Sequence, residues 1–379
     1  LLGLIYAGCY LKNMEKFIEP ATVALADECH LLINSEEIVF SRNSQDILNI
    51  FTILIWAKLA LKDSNWNPSV THLETIEKLA PVLRNLRHSD AGLPRFHGSC
   101  GDVDGQLDQA LSNAESRKTS LSETSVGFAK LSNSRTTVII DAAPPPMGKK
   151  AVKADASTLA FELVSGQRRV FTSCGPGYLF GSDLSLVGRQ TSSHCAVYIE
   201  DWNSSEFSSV EGWFKTRKKM IINGPRSVPK EISNHEGASI FEGAHDGYVQ
   251  SYGLTHVRKL KLFQDGHTFE GEDLMIAIED SHKRQFDKVS KKNRNDQLSV
   301  NAAFHLHPNV VVRLDQENNR ISLALKNGEV WIFNHGSDLR LQLEPTIFFE
   351  NGLFEPLESK KLILSADLLD YGTRIKWSL

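Results

Sequence analysis

"KADASTLAFELVSGQRRVFTSCGPG", residues 153–177, decides how this chain is read. Its two apolar runs, STLAFEL (157–163) and RRVFTSC (168–174), are short, β-rich and separated by a glycine-bearing turn, the pattern of neighbouring strands. Working outward, TTVIID (136–141), HCAVYIE (194–200), GYVQSYG (247–253), THVRKLKLF (255–263), DLMIAIE (273–279), RISLAL (320–325) and EVWIFN (329–334) repeat the habit as far as TRIKWSL (373–379). Successive strands with no helical run between them predict packed antiparallel sheets, so residues 126–379 are expected to form a large β-sandwich.

Upstream the period changes. Leu4, Ile5, Tyr6, Leu11, Met14, Phe17 and Ile18 recur at helical spacing. QDILNIFTILIWAKLALKD (45–63) predicts a more buried helix, and SVTHLETIEKLAPVLRNL (69–86) a third, with Thr71 and Glu74 spaced as a capping box. Residues 1–98 are therefore expected to be helical hairpins at the end of a larger helical array. The Gly-, Ser- and Asp-rich stretch over 99–125 reads as the linker. The opening LLGLIYAGCYL is too short to span a bilayer, so no transmembrane segment is expected, and it reads as a helix of a chain that continues upstream.

Charge and cysteines narrow the function. The 42 Lys and Arg are outnumbered by 46 Asp and Glu, giving a net charge of -4, so no global field attracts nucleic acid. Cys9, Cys29, Cys100, Cys174 and Cys195 contain no CxxC pair, which argues against a cysteine zinc site or a disulfide framework. His305 and His307 in FHLHP lie two apart on an expected strand and could share a metal if a third ligand joined them. In AHDGY (244–248), His245 could act as a general base and Tyr248 could donate a proton, although an Asp-Gly turn explains the same residues. CGPGYLFG (174–181) leaves a strand without entering a helix, which argues against a phosphate loop. Arg42, His88, Arg95 and His97 gather at loops of the helical part, where they could receive an acidic ligand or simply complement helix C-termini.

The ordered segments RHSDAGLPRFHG, TTVIIDAAPPP, KADASTLAFELVSGQRRVFTSCGPG, RQTSSHCAVYIED, AHDGYVQSYGLTHVRKLKL, GEDLM and FHLHP together resemble the heparinase II/III-like family of polysaccharide lyases, particularly its bacterial branch. The resemblance implies an α+β multidomain fold, an incomplete (α/α) toroid followed by an antiparallel β-sandwich. It also implies β-elimination of uronic-acid glycans, hence an acidic polysaccharide as partner and a place in the periplasm or cell envelope. That reaction needs a carboxylate neutraliser, for which Arg42, His88, Arg95, His97 and Lys153 are the candidates, and an acid and base, for which His194, His245 and Tyr248 are.

The resemblance further implies a zinc site that this chain matches unevenly. A metal-binding histidine in a HAD segment is replaced by Lys153, before Ala154 and Asp155, and a second ligand position falls on Cys174. His194 matches the third, with Asp155 as a possible companion. One ligand of three cannot hold zinc, so the family's zinc site is expected to be incomplete here. The alternative to a lyase is a non-catalytic glycan-binding or cell-envelope protein on the same scaffold.

Overall fold

Helices come first and strands after them. In this computed structural model, residues 1–34, 41–101, 105–115, 124–148, 152–211, 217–235, 237–292, 298–315, 320–368 and 370–379 are described. Helices α1 (Leu2–Tyr10), α2 (Ile18–Asn34), α3 (Ser44–Asp63), α4 (Val70–Leu86) and α5 (Gln106–Asn113) share one apolar cluster. The Asn43 side chain starts α3 by accepting the N–H groups of Gln45 and Asp46, both at 3.0 Å. α3 is long and apolar enough to cross a membrane, and here Ile47, Leu48, Phe51, Ile55 and Leu61 are buried in the cluster.

Two helical expectations are corrected. α4 is capped by Ser69, which accepts the His72 N–H at 3.2 Å, so the helix begins ahead of the expected Thr71–Glu74 box. The stretch 99–125 is not simply a linker: it contains α5, whose Leu107 and Ala110 are buried in the helical cluster. One short helix shows too few turns for its period to be read.

The strands are β1 (Thr124–Ser125), β2 (Phe128–Asn133), β3 (Thr136–Asp141), β4 (Phe161–Ser165), β5 (Arg168–Phe171), β6 (Val197–Ile199), β7 (Glu206–Glu211), β8 (Arg217–Asn223), β9 (Lys230–His235), β10 (Ala238–Tyr248), β11 (Leu254–Phe263), β12 (Phe269–Ile276), β13 (Ser299–His305), β14 (Val311–Asp315), β15 (Arg320–Ala324), β16 (Val330–His335), β17 (Arg340–Phe348), β18 (Leu357–Asp367) and β19 (Gly372–Ser378). They form an antiparallel five-stranded sheet in chain order β1 to β5, an eight-stranded sheet β14-β15-β16-β19-β12-β11-β10-β9, a four-stranded sheet β17-β18-β13-β6 and the hairpin β7-β8. Alternating side chains of the three larger sheets meet in one core, where Phe161, Phe171, Phe269, Phe304, Phe333 and Trp377 pack ring against ring.

Helices do intervene between the strands. GYVQSYG, expected as a strand, is split: β10 ends at Tyr248, and α7 (Val249–Tyr252) makes one turn before Gly253 stops it at φ +71°. A Cβ at Gly253 would lie 2.1 Å from the His282 carbonyl oxygen, so only glycine fits. CGPGYLFG leads through a 3-10 turn (Gly177–Phe180) into the short helix α6 (Ser182–Val187), contrary to expectation, and α8 (Asp280–Lys292) separates β12 from β13.

The helical and strand-built parts are fused. Phe128, Ile139, Ala160 and Ala196 from the β-part belong to the helical cluster, and the rings of Phe96 and Phe128 stack at 5.8 Å. The loop 88–101, leaving α4, runs along this seam and carries most of the expected ligand-binding residues.

Candidate functional site

Arg42 lies just before α3 at φ +52°, buried. Its Nε donates to Val126 O at 3.2 Å, Nη1 to Ala143 O and Pro144 O at 3.2 and 3.0 Å, and Nη2 to Gly127 O at 2.8 Å and to the Asp141 carboxylate. An arginine has five N–H groups, and here all are spent on the protein. Arg42 is thus a staple between the helices and the five-stranded sheet, which corrects its expected role in substrate binding. Burial alone would raise the Asp141 pKa, but Arg42 and His97 hold it well below the usual carboxylate range.

His97 and His88 are also enclosed. His97 Nδ1 accepts the Asp155 backbone N–H at 3.2 Å while the His97 backbone N–H donates to the Asp155 carboxylate, and Nε2 lies 3.2 Å from Asp141 Oδ2. Burial raises Asp155 to about 7, against the pull of Arg189 and of the His97 and Gly98 N–H groups. His88 Nδ1 is 3.0 Å from Thr137 Oγ1, and Nε2 is 3.6 Å from Glu162 Oε2. Burial lowers the pKa of both histidines, which are therefore neutral packing groups and cannot neutralise a substrate carboxylate as expected.

The residues at the implied zinc positions form no ligand set among the described residues. Lys153 sits on the half-exposed rim, its Nζ 3.6 Å from Asp46 Oδ1 and 5.3 Å from the centre of the Tyr178 ring, whose hydroxyl donates to Gly98 O at 3.3 Å. Burial drives the Cys174 thiol up to about 12, unsuited to a thiolate ligand. His194 is fully buried with Nδ1 3.0 Å from Ser173 Oγ, and burial, reinforced by His305 and His97, takes it down to about 3. Asp155 is tied to His97. Among the described residues no group of three or more His, Cys, Asp or Glu side chains could hold a metal ion, so these residues do not fit a zinc centre. His305 and His307 do not pair either: His305 Nε2 is 2.6 Å from Ser192 O, whereas His307 lies beyond the end of β13 with its ring against Phe348.

His245 and Tyr248, the other acid–base candidates, face the sandwich core. The Tyr248 hydroxyl donates to Val197 O at 2.8 Å, and burial raises its pKa. His245 Nδ1 accepts the Gly247 N–H at 3.1 Å, its Nε2 is 3.1 Å from His256 Nδ1, and His256 Nε2 is 2.9 Å from Asp273 Oδ1. Both residues are only 1% exposed, so neither meets a polymer as they stand.

Arg95 is different. Its Nη1 donates to Cys100 O at 2.6 Å and its Nη2 to Phe349 O, the guanidinium lies 4.3 Å over the Phe348 ring, and the buried Nε has no partner among the described residues. It lines a cavity of about 160 Å³ together with Asp90, Arg169, His307 and Glu350. Of the expected ligand-binding residues, Arg95 and Lys153 border open space, while Arg42, His88 and His97 are built into the seam. Sequence reasoning missed Asp141, Glu162 and Arg169, the charges that organise the seam; the signal was Glu162, a carboxylate inside the wholly buried strand FELVS.

Residues 117–378 match the family model "Heparinase II/III-like, C-terminal". Over 380 residues the chain is 24% identical to FtsZ-localized protein C of Caulobacter vibrioides, covering 98% of this chain and 63% of that protein. The chain thus spans less than two thirds of the length of this curated relative. Solved structures of heparinase III (TM-score 0.66, 15% identity, 100% of this chain and 59% of that one) and of the heparan sulfate lyase HepC from Pedobacter heparinus (TM-score 0.65, 14% identity, 100% and 58%) share the fold. By a model match spanning most of its length, this chain belongs to the heparinase II/III-like family.

Proposed function

We propose that this chain is a polysaccharide-lyase scaffold, its helices part of an (α/α) toroid, that holds a carboxylate-bearing glycan at the cell envelope without cleaving it through its own acid–base residues. One observation carries the reading: His194, His245 and Tyr248 are at most 1% exposed, whereas a general acid or base must come within hydrogen-bond reach of the proton it moves. The half-exposed rim offers a cation instead, in Lys153, and Arg95 lines the cavity of about 160 Å³.

A second reading, β-elimination, is favoured by His307. This half-buried imidazole borders the Arg95 cavity, and burial together with Arg169 and Arg95 lowers it to about 4. It is therefore neutral at pH 7, and its ring N–H, held on Nε2 because Nδ1 accepts the Asn309 N–H, could hydrogen-bond the leaving glycosidic oxygen beside a guanidinium that neutralises the sugar carboxylate.

The two readings separate in one experiment. The protein is titrated with heparan sulfate and alginate, with and without chelator, while binding and the ultraviolet absorbance of an unsaturated product are followed. Saturable binding with no absorbance rise is expected. Turnover that disappears in His307→Ala establishes the lyase reading, and absence of binding to every uronate polymer refutes both.

A further inference from the structure

Strand β17 is an edge of the four-stranded sheet, and its apolar face outruns the core. Leu341 and Leu343 pack, partly buried, against the core cluster, and Pro345 and Ile347 follow on the same face at strand period. There the face borders a cleft of about 660 Å³, lined also by Pro308 and Val310 from the turn after β13 and by Lys360 of β18. The chain then turns through residues 349–356 and presents Phe354, fully exposed, between exposed Leu353 and Leu357. The charges beside these features are uncommitted. Glu355, next to the ring, and Lys360, in the cleft wall, are exposed and form no ion pair among the described residues, whereas neighbouring Lys361 Nζ is 3.3 Å from Glu344 Oε2.

We infer that two copies of this chain associate through the hairpin of β17 and β18, each Phe354 entering the other's cleft and each Glu355 meeting the other's Lys360. The inference is independent of the glycan-binding reading. Three features support it. The ring, most of the cleft wall and both charges belong to one hairpin, so a single two-fold axis satisfies both halves of the contact, as an isologous interface requires. The cleft volume lies within the range of ordinary ligand sites, roughly 300–1,000 Å³, and the ring that enters it leaves water for apolar walls. The opposite charges of Glu355 and Lys360 then set the orientation of the two hairpins. A plain edge-to-edge extension of the sheet is disfavoured, because Pro345 stands within β17 and supplies no N–H.

Sedimentation velocity across a concentration series tests this on the chain as it stands, and wild type should show a monomer–dimer equilibrium. Phe354→Asp, altered only at a fully exposed side chain, should weaken the dimer about tenfold or more with circular dichroism unchanged. Glu355→Lys and Lys360→Glu should each weaken it by placing like charges together. The Glu355→Lys/Lys360→Glu double variant should restore it, because the pair forms again with its signs exchanged. Trp56→Ser removes an exposed ring from α3 instead and should dimerise as wild type does. A dimer that survives Phe354→Asp, or single charge reversals that the double variant does not rescue, overturns the inference. So does dispersal by Trp56→Ser alone, which would place the interface on the helices. A chain that stays monomeric throughout the series overturns it as well and leaves the cleft to a small apolar ligand or another protein.

Discussion

Replacing Arg42 by lysine tests whether the cation at the start of α3 is a staple or a ligand-binding group. Arg42 serves five acceptors: the carbonyls of Val126, Gly127, Ala143 and Pro144 and the Asp141 carboxylate. A lysine ammonium has three donors on a different stem, so at least two of the five acceptors lose their partner. An orphaned buried acceptor costs roughly 1–3 kcal/mol. Four of the five contacts are only part-buried, so the lower half of the range applies to each of the two acceptors and Arg42→Lys should cost about 2–4 kcal/mol. Arg42→Ala also strands the fully buried Asp141 and should cost about 3–5 kcal/mol, as when one member of a buried ion pair is removed. Urea unfolding followed by tryptophan fluorescence measures both. The Asp141→Asn/Arg42→Ala double variant should lose less than the sum of its parts, since the two side chains share one interaction. Unchanged stability in Arg42→Lys, together with lost affinity for uronate oligomers, would refute the staple and restore Arg42 as a binding group.

Three further outcomes follow from the same geometry. Asp155, raised to about 7 in the fold against about 3.9 unfolded, favours the folded state while protonated; its contribution is complete below the unfolded pKa and is lost as pH rises through the folded one. Unfolding free energy of wild type relative to Asp155→Asn should therefore fall between about pH 4 and 7, and a flat difference across that window would contradict the assignment. Tyr248→Phe removes only the hydroxyl that donates to Val197 O and should cost roughly 0.5–1.5 kcal/mol in a urea titration with uronate affinity unaltered; lost affinity at unchanged stability would return Tyr248 to the site. Lys153→His, which restores a histidine where the family resemblance places one, should still give well below stoichiometric zinc in elemental analysis, because Cys174 and Asp155 remain committed elsewhere.

The order of elements was legible because period and length are local properties: a strand reads as a strand whatever it later pairs with. Arg42 was not, since its partners lie 84 to 102 residues away along the chain, and loop position alone equally suits a ligand-facing cation. His88 and His97 failed for the same reason, being buried by Thr137, Glu162, Asp141 and Asp155 from the following sheet and its loops. Lys153 and Cys174 were informative in themselves: that they replace the zinc ligands the resemblance implies needed only residue identity. The cleft of Arg95, Arg169 and His307 needed three separate segments to be brought together, although FHLHP and RHSDAGLPRFHG already held two of its members.

The buried row Asp273, His256, His245 shows why residue types alone mislead about catalysis. In a catalytic triad the carboxylate orients the imidazole, whose far nitrogen is left to take a proton from the nucleophile. Here the far end is closed: His245 Nδ1 receives the Gly247 N–H, so its proton is on Nε2, and His256 in turn carries its proton toward Asp273. At the other end Arg258 clasps Asp273 at 2.6 and 3.0 Å and the Trp377 indole N–H approaches at 3.3 Å. Burial would raise the pKa of Asp273, but Arg258 and His256 hold it well below the usual range. Every donor in the row has an acceptor within the protein, and no lone pair points toward a substrate. The row ties β10, β11, β12 and β19 together through the sheet interior. In this chain, therefore, histidine beside a carboxylate marks a polar seam in the core.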